Sequence, residues 1–269
     1  MISIKKLHLI SRNRQWLSSS ISLHDKLTHY PAALFALLFN SRSLKYLGRK
    51  FQYDNYATPV SIQAYPPEID AVLSNMSRKP KYILDIGGNL GQFSITLKRS
   101  LPNAVIDIFE PNPTIYDSLV SNTSELEGVK TYNLAVGREV QNTKLNFVSG
   151  KSATGSMFKD NATGDPKELN SITIDVTDNI RKFTKRKNYD LIKIDVEGFE
   201  RNVIDHLSGV TTDYLFVEVS GTAREKDFTH SEIFDLIYQT FGSFDICYIT
   251  PFAVTDDNFE LLIKFEKSV

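Results

Sequence analysis

The stretch that most constrains this chain is Tyr82-Ile-Leu-Asp-Ile-Gly-Gly-Asn-Leu-Gly-Gln-Phe93. Tyr82 to Ile86 are bulky or β-branched residues interrupted only by Asp85, the composition of a buried parallel strand. Gly87, Gly88 and Gly91 follow at once, and Phe93, Ile95, Leu97 and Leu101 then form an apolar-periodic segment up to Pro102. Glycine serves where the backbone turns tightly, takes a positive φ or touches a ligand. A ligand over such a turn also meets the outward N–H groups of the following helix. The segment predicts strand, glycine turn and helix, with a ligand site above the turn.

The residues restrict that ligand. The dinucleotide pattern G-x-G-x-x-G, aligned on Gly88 and Gly91, needs a glycine where Ile86 stands. Asp85, at the end of the strand, would repel a pyrophosphate and attract a cation.

The rest of the chain alternates. Strands are predicted over 104–109, 129–136, 144–148, 171–176, 190–194, 214–219, 244–249 and 261–265, with helices over 114–126, 200–207 and 231–241. Such alternation implies an α/β fold with a mostly parallel sheet, helices on both faces, and ligands beyond the C-terminal strand ends. Upstream, residues 46–53 read as a hairpin around Gly48, and Pro66 and Pro67 open a helix over 68–77. Residues 1–45 read as a helical N-terminal extension, leaving 46–269 as the main domain. The polar loop 149–166, with Ser152, Thr154 and Ser156, has the length of a lid or binding loop.

Polar residues gather at the strand ends. Glu110, in Phe109-Glu-Pro-Asn-Pro113, lies 19 residues after Gly91, where a carboxylate can accept hydrogen bonds from ribose hydroxyls. The two prolines that follow, Pro111 and Pro113, stop the strand and aim that carboxylate. In Asp190-Leu-Ile-Lys-Ile-Asp-Val-Glu-Gly-Phe-Glu200, Lys193, Asp195 and Glu197 alternate at period two and share one face. Three charges there are costly unless they meet a ligand or each other. Glu218 adds an acid at the same edge. Asp195, Glu197 and Glu218 offer oxygen ligands for a divalent metal, but clustered acids are no evidence of one, and none is assigned.

Residues 1–50 carry nine Lys or Arg and one acid, a net +8, while the remaining 22 bases and 31 acids give −9. A basic arm on an acidic body suits an anionic partner, such as a membrane surface, a lipid-linked glycan or nucleic acid; a solvated basic face explains it equally well. The single cysteine, Cys247, excludes an internal disulfide and a cysteine-based zinc site and fits a reducing compartment. No apolar run reaches the roughly 20 residues that span a bilayer. A cytoplasmic protein, at most peripheral to a membrane, is expected.

Together these motifs resemble the FkbM-type S-adenosylmethionine (SAM)-dependent methyltransferases. The carrying residues are Asp85-Ile-Gly-Gly-Asn-Leu-Gly-Gln-Phe93, Phe109-Glu-Pro-Asn-Pro113, Asn133-Leu-Ala-Val-Gly137, Ile192-Lys-Ile-Asp-Val-Glu-Gly-Phe-Glu200 and Glu218. The resemblance covers about residues 50–250. One element departs mildly from the family: its usual Leu-Asp appears as Ile174-Asp175. The resemblance implies a Rossmann-like class I methyltransferase fold with SAM as cofactor. It implies cofactor contacts from Asp85, Gly87, Gly88, Asn89, Gly91, Phe93, Glu110, Pro111, Asn133, Ala135 and Asp195. Methyl transfer to a hydroxyl then needs a base, for which Glu197 is the first candidate and Asp195 the second, with Lys193 tuning either. The expected acceptor is a sugar, glycan or lipid-linked saccharide. RNA or another small molecule is the alternative acceptor; RNA is disfavoured by the lack of an aromatic-interleaved basic motif. A non-catalytic SAM-fold binding module and an oligomer built on the basic arm also stay open.

Overall fold

The structure, a computed structural model, describes residues 42–53, 65–138, 143–148, 169–220, 230–249 and 258–266. The helical readings within 1–41 and the loop 149–166 lie outside the described residues. Strand β1 (Ser43–Tyr46) crosses the 45/46 division drawn from sequence and pairs antiparallel with β2 (Arg49–Gln52), forming the predicted hairpin around Gly48.

A seven-stranded sheet carries the fold. Its parallel members are β3 (Tyr82–Ile86), β4 (Val105–Phe109), β5 (Val129–Tyr132), β10 (Asn188–Ile194) and β11 (Thr211–Ser220). Strand β13 (Asn258–Phe265) runs antiparallel to β11, and β12 (Phe244–Ile249) antiparallel to β13. The spatial order is β12-β13-β11-β10-β3-β4-β5. From β3 the chain works outward through β4 and β5, then returns to place β10 on the other side of β3. The C-terminal ends of β3 and β10 therefore flank a topological switch point, where α/β sheets bind ligands.

Helices cover both faces: α1 (Tyr65–Ser74), α2 (Gln92–Ser100), α3 (Pro113–Thr123), the short α4 (Arg181–Thr184) and α5 (Glu200–Asp205), and α6 (His230–Phe241). Period-two alternation sorts the strand residues. Leu84, Ile86, Ile192, Ile194 and Val217 enter one core with α5 and α6 residues such as Ile204 and Ile237. Ile83, Leu191, Tyr214 and Phe216 enter the other with Ile69 of α1 and Leu97 of α2. Asp85 and Lys193 share the second face, because Lys193 pairs with Asp85 in register.

Local chemistry explains where elements begin and end differently from the sequence reading. Helix α1 starts three residues early, since Pro66 and Pro67 sit in the first turn, where a missing N–H costs nothing. It ends at Ser74, where the Ser74 and Asn75 side chains donate to the Ala71 carbonyl. Helix α3 starts at Pro113 behind Asn112, whose side chain accepts from the Thr114 N–H at 3.1 Å.

The strand predicted over 129–136 breaks in two. Asn133 donates to the carbonyls of Glu110 (2.8 Å) and Pro111 (3.1 Å) and leaves the sheet. β6 (Ala135–Val136) then pairs with β9 (Val176–Thr177) instead, and β7 (Lys144–Val148) pairs with β8 (Leu169–Thr173).

The hairpin docks on α2 and α3 through a small core of Tyr46, Phe51, Leu90, Ile95 and Ile115. The Tyr46 and Thr96 hydroxyls lie 2.6 Å apart. The Asn122 amide accepts from the Gln52 N–H and donates to the carbonyls of Gln52 and Leu90. Among the described residues no helix is long and apolar enough to cross a membrane.

Candidate functional site

A cleft opens at the switch point. Its walls are the turn after β3, the Phe109–Asn112 segment at the end of β4, Leu134 to Val136, and the Lys193–Phe199 segment at the end of β10, with Tyr65 of α1 also in the lining. Gly87, Gly88, Asn89, Phe93, Glu110, Pro111, Ala135, Lys193, Asp195 and Glu197 all line it, so the structure brings these sequence-predicted residues together.

Three others stand behind the wall. Asp85 is fully buried beneath the turn and accepts from the Ser94 hydroxyl at 2.7 Å. Gly91 caps α2 at φ 90° and packs against Leu119 and Thr123 of α3. Asn133 braces the Glu110–Pro111 backbone. These three do not line the cleft; each supports residues that do.

The glycine turn is shaped by packing. Gly87 has φ 83°, and a Cβ there would sit 1.8 Å from the Asp195 carbonyl oxygen. A Cβ on Gly88 would lie 2.1 Å from Ile108 Cγ2. Both N–H groups donate to the Phe109 carbonyl at 3.0 Å. The bare backbone lets β3, β4 and β10 converge, and Gly87 takes the positive φ that the sequence pattern allows for.

Glu110 is nearly enclosed. Its Oε2 accepts from the Asn89 N–H at 2.9 Å and Oε1 from the Asn112 N–H at 2.8 Å. Burial pushes its carboxyl up to about 7 against the pull of these two bonds. Each oxygen keeps a second lone pair for a ligand hydroxyl. Asn89, at φ 49°, also carries a buried side-chain oxygen without a partner.

On the opposite wall, Lys193 Nζ lies 3.1 Å from Asp195 Oδ2, 3.4 Å from Asp85 Oδ1 and 3.3 Å from the Gly87 carbonyl. It also sits 5.5 Å from the centre of the Phe93 ring. Burial alone would lower its proton affinity, but the Asp195 and Asp85 carboxylates outweigh that and raise it. Lys193 is the one Lys or Arg lining the cleft among the described residues, and carboxylates already engage it.

Acids surround it. Burial first, then Asp195 and Glu200, pushes Glu197 up to about 8. Burial, then Asp195, pushes Glu218 up to about 10. Glu200 is raised to about 7 by burial. Glu197 has φ 53°, a conformation uncommon outside glycine, asparagine and aspartate, and Gly198 follows at φ 97°.

Sequence reasoning missed Gln92, Asn112, Leu134, Val136, Phe199 and Tyr65 in the lining. Asn112 was legible as a cap, between two prolines. Tyr65 carried no signal, since it reaches the cleft only through the placement of α1.

SAM fits this lining. Glu110 offers acceptors suited to vicinal hydroxyls, Phe109, Leu134 and Phe199 offer apolar surface for a base, and the carboxylates suit cationic groups.

The Methyltransferase FkbM domain matches residues 85–243, more than half of the chain. "Methyltransferase 1" of Beauveria bassiana is 27% identical over 152 residues, covering 50% of this chain and 61% of that protein. "Methyltransferase sdnD" of Sordaria araneosa is 26% identical over 161 residues, covering 49% and 62%. The chain thus spans about three-fifths of the length of these relatives. Among solved structures, Aeropyrum pernix fibrillarin with natively bound SAM is similar at TM-score 0.43 and 11% identity, over 84% of this chain and 83% of that one. With the domain match starting at Asp85 and taking in the glycine turn, Glu110 and the Lys193–Glu200 run, the chain belongs to the FkbM family of class I SAM-dependent methyltransferases.

Proposed function

We propose that this protein transfers a methyl group from SAM to a hydroxyl on a sugar, glycan or lipid-linked saccharide. The observation that carries the reading is the facing pair of walls: Glu110 on one side, Lys193, Asp195 and Glu197 on the other. When bound, SAM supplies a methyl carbon already activated by its sulfonium. Glu110 is proposed to hold the ribose hydroxyls, with Asn89, Gly87 and Gly88 along the turn. Phe109, Pro111 and Ala135 supply apolar wall for the adenine.

The chain's own chemical task is to orient the acceptor and take its proton. The acceptor oxygen must stand roughly 3 Å from the methyl and in line with the sulfur. Glu197, held over the cleft by its left-handed backbone, is the proposed general base, with Asp195 beside it. Such a base is worth about 10²–10⁴ in rate. Lys193, fixed by Asp85 and the Gly87 carbonyl, holds Asp195 in place.

The acceptor class follows from charge. Carboxylates can accept hydrogen bonds from several sugar hydroxyls, whereas a phosphate would face acids and an already engaged lysine. This favours a saccharide over RNA. The basic segment 1–50, net +8, is the proposed contact with an anionic surface that presents such an acceptor.

The test is calorimetric titration with S-adenosylhomocysteine (SAH) and NADH, then methyl transfer from labelled SAM to neutral saccharides and to RNA. SAH binding with label in a saccharide supports the reading. NADH binding without SAH binding, or label only in RNA, overturns it.

A further inference from the structure

We propose that Glu200 is the positioning residue for Glu197: its carboxylate clamps the left-handed turn that carries the proposed base over the cleft. The inference rests on the methyl-transfer reading above.

Strand β10 ends at Ile194 and α5 starts at Glu200. Where the intervening turn begins, the Asp195 N–H donates to the Ile86 carbonyl at 3.1 Å, which ties it to β3. Glu197 at φ 53° and Gly198 at φ 97° then take left-handed conformations in succession. Glycine does so freely. In glutamate the Cβ crowds the following carbonyl oxygen, so the conformation persists only where the surroundings impose it.

Glu200 supplies that constraint. Its Oε1 accepts from the Gly198 N–H at 3.0 Å and from the Val196 N–H at 3.4 Å. These donors belong to the residues immediately before and after Glu197. In an extended strand the two N–H groups would run parallel and stand about 6.6 Å apart, so one oxygen receives both only when the chain is turned. Val196 and Glu197 line the cleft while Glu200 does not. The clamp therefore acts from behind the wall. Its own base is firm, because Val203 and Ile204 of α5 are buried in the core.

A second observation separates this role from plain support of the fold. Glu200 is 1% exposed, and its Oε2 is enclosed without a hydrogen-bond partner. Burial pushes the carboxyl up to about 7. A half-satisfied carboxyl in the interior is a net cost to folding. Two local costs, a left-handed glutamate and this carboxyl, thus meet at the turn that presents the proposed base. Costs of this kind gather where function dictates geometry.

The experiment compares the full chain as wild type, Glu200→Ala, Glu200→Gln and Glu200→Asp. Glutamine keeps an acceptor oxygen where Oε1 stands, alanine has none, and aspartate withdraws it by one methylene. Four quantities are read: exchange of the Gly198 amide by NMR, SAH affinity by calorimetry, melting temperature, and kcat and KM for transfer from labelled SAM to the neutral saccharide that takes label in wild type. Glu200→Ala should speed Gly198 exchange at least ~10-fold and lower kcat about 10–100-fold, with SAH affinity within about twofold of wild type. Glu200→Gln should restore both exchange and kcat. A residue that only stabilised the fold would lower the melting temperature and leave the kcat of the folded protein unchanged.

Four results overturn the proposal: unchanged Gly198 exchange in Glu200→Ala, faster exchange with unchanged kcat, a Glu200→Gln variant as slow as Glu200→Ala, or SAH binding weakened in step with kcat. If wild type labels no saccharide, the acceptor reading fails instead, and Gly198 exchange still decides whether Glu200 holds the turn. Should Glu200→Ala fail to fold, Glu200→Asp carries the comparison.

Discussion

Lys193 stands opposite Asp85 in register across β10 and β3, its ammonium 3.4 Å from the carboxylate, with both side chains almost fully buried. A charge pair at the centre of a sheet, in contact with Phe93, is held there by what it positions. Truncating one partner leaves the other charged and dry. We expect Lys193→Met to destabilise the protein by about 3–5 kcal/mol in urea unfolding. Lys193→Met combined with Asp85→Asn should cost less than the sum of the single changes. Additive losses would show that the pair is not coupled.

Glu110 makes cofactor affinity depend on pH. Its carboxyl is raised to about 7 by burial, and ribose hydroxyls donate best to the ionised form. Binding therefore favours loss of the proton, so SAH affinity should plateau above pH 7 and weaken as pH falls below it, by at most tenfold per unit. Glu110→Gln should flatten that profile and weaken SAH binding at pH 8 by about 1.5–3 kcal/mol, measured by calorimetry. An unchanged slope in the variant would assign the pH dependence to another group. Stability has the opposite sign. A carboxyl raised on folding holds its proton more tightly in the native state, so Glu110 favours unfolding as pH rises from about 4.5 to about 7.

Gly87 and Gly48 separate two effects of a side chain at positive φ. At Gly48, φ is 84° and nothing lies within 4 Å of the added carbon. Gly48→Ala should cost only about 1 kcal/mol of backbone strain. At Gly87 the same change meets the Asp195 carbonyl as well. We expect Gly87→Ala to cost at least about 3 kcal/mol and to weaken SAH binding. Equal melting temperatures for the two variants would refute the close approach.

Asn133 supports Glu110 from behind. Asn133→Ala removes two donors to the Glu110 and Pro111 carbonyls, and SAH affinity should fall by about 1 kcal/mol. In a double-mutant cycle with Glu110→Ala the losses should be less than additive, because the brace is useless once the carboxylate has gone. Full additivity would give Asn133 an independent role.

Much of this was legible because period and punctuation agree. Strand β3, the turn at Gly87 and the start of α2 follow from one short stretch, and Glu110 from the two prolines after it. Lys193, Asp195 and Glu197 share one wall as expected, but the strand ends at Ile194 and Glu197 reaches that wall through a left-handed backbone instead of strand period. What escaped depends on tertiary contact. The glycines are dictated by Asp195 and Ile108, far off in sequence. Asn133 reads as part of a strand until the carbonyls of Glu110 and Pro111 compete for its amide. Tyr65 and Glu68 approach the site through the packing of α1, for which no local pattern exists.

Asn122 binds the hairpin and the glycine turn with one amide, giving one N–H to Gln52 and the other to Leu90. One side chain thus ties the two pieces together, beside the apolar core that docks the hairpin. Hydrolysis of that amide to a carboxylate would turn both donors into acceptors, each facing a carbonyl oxygen. Such a change on α3 would loosen the hairpin and the glycine turn at the same time, although Asn122 itself touches no part of the cleft lining.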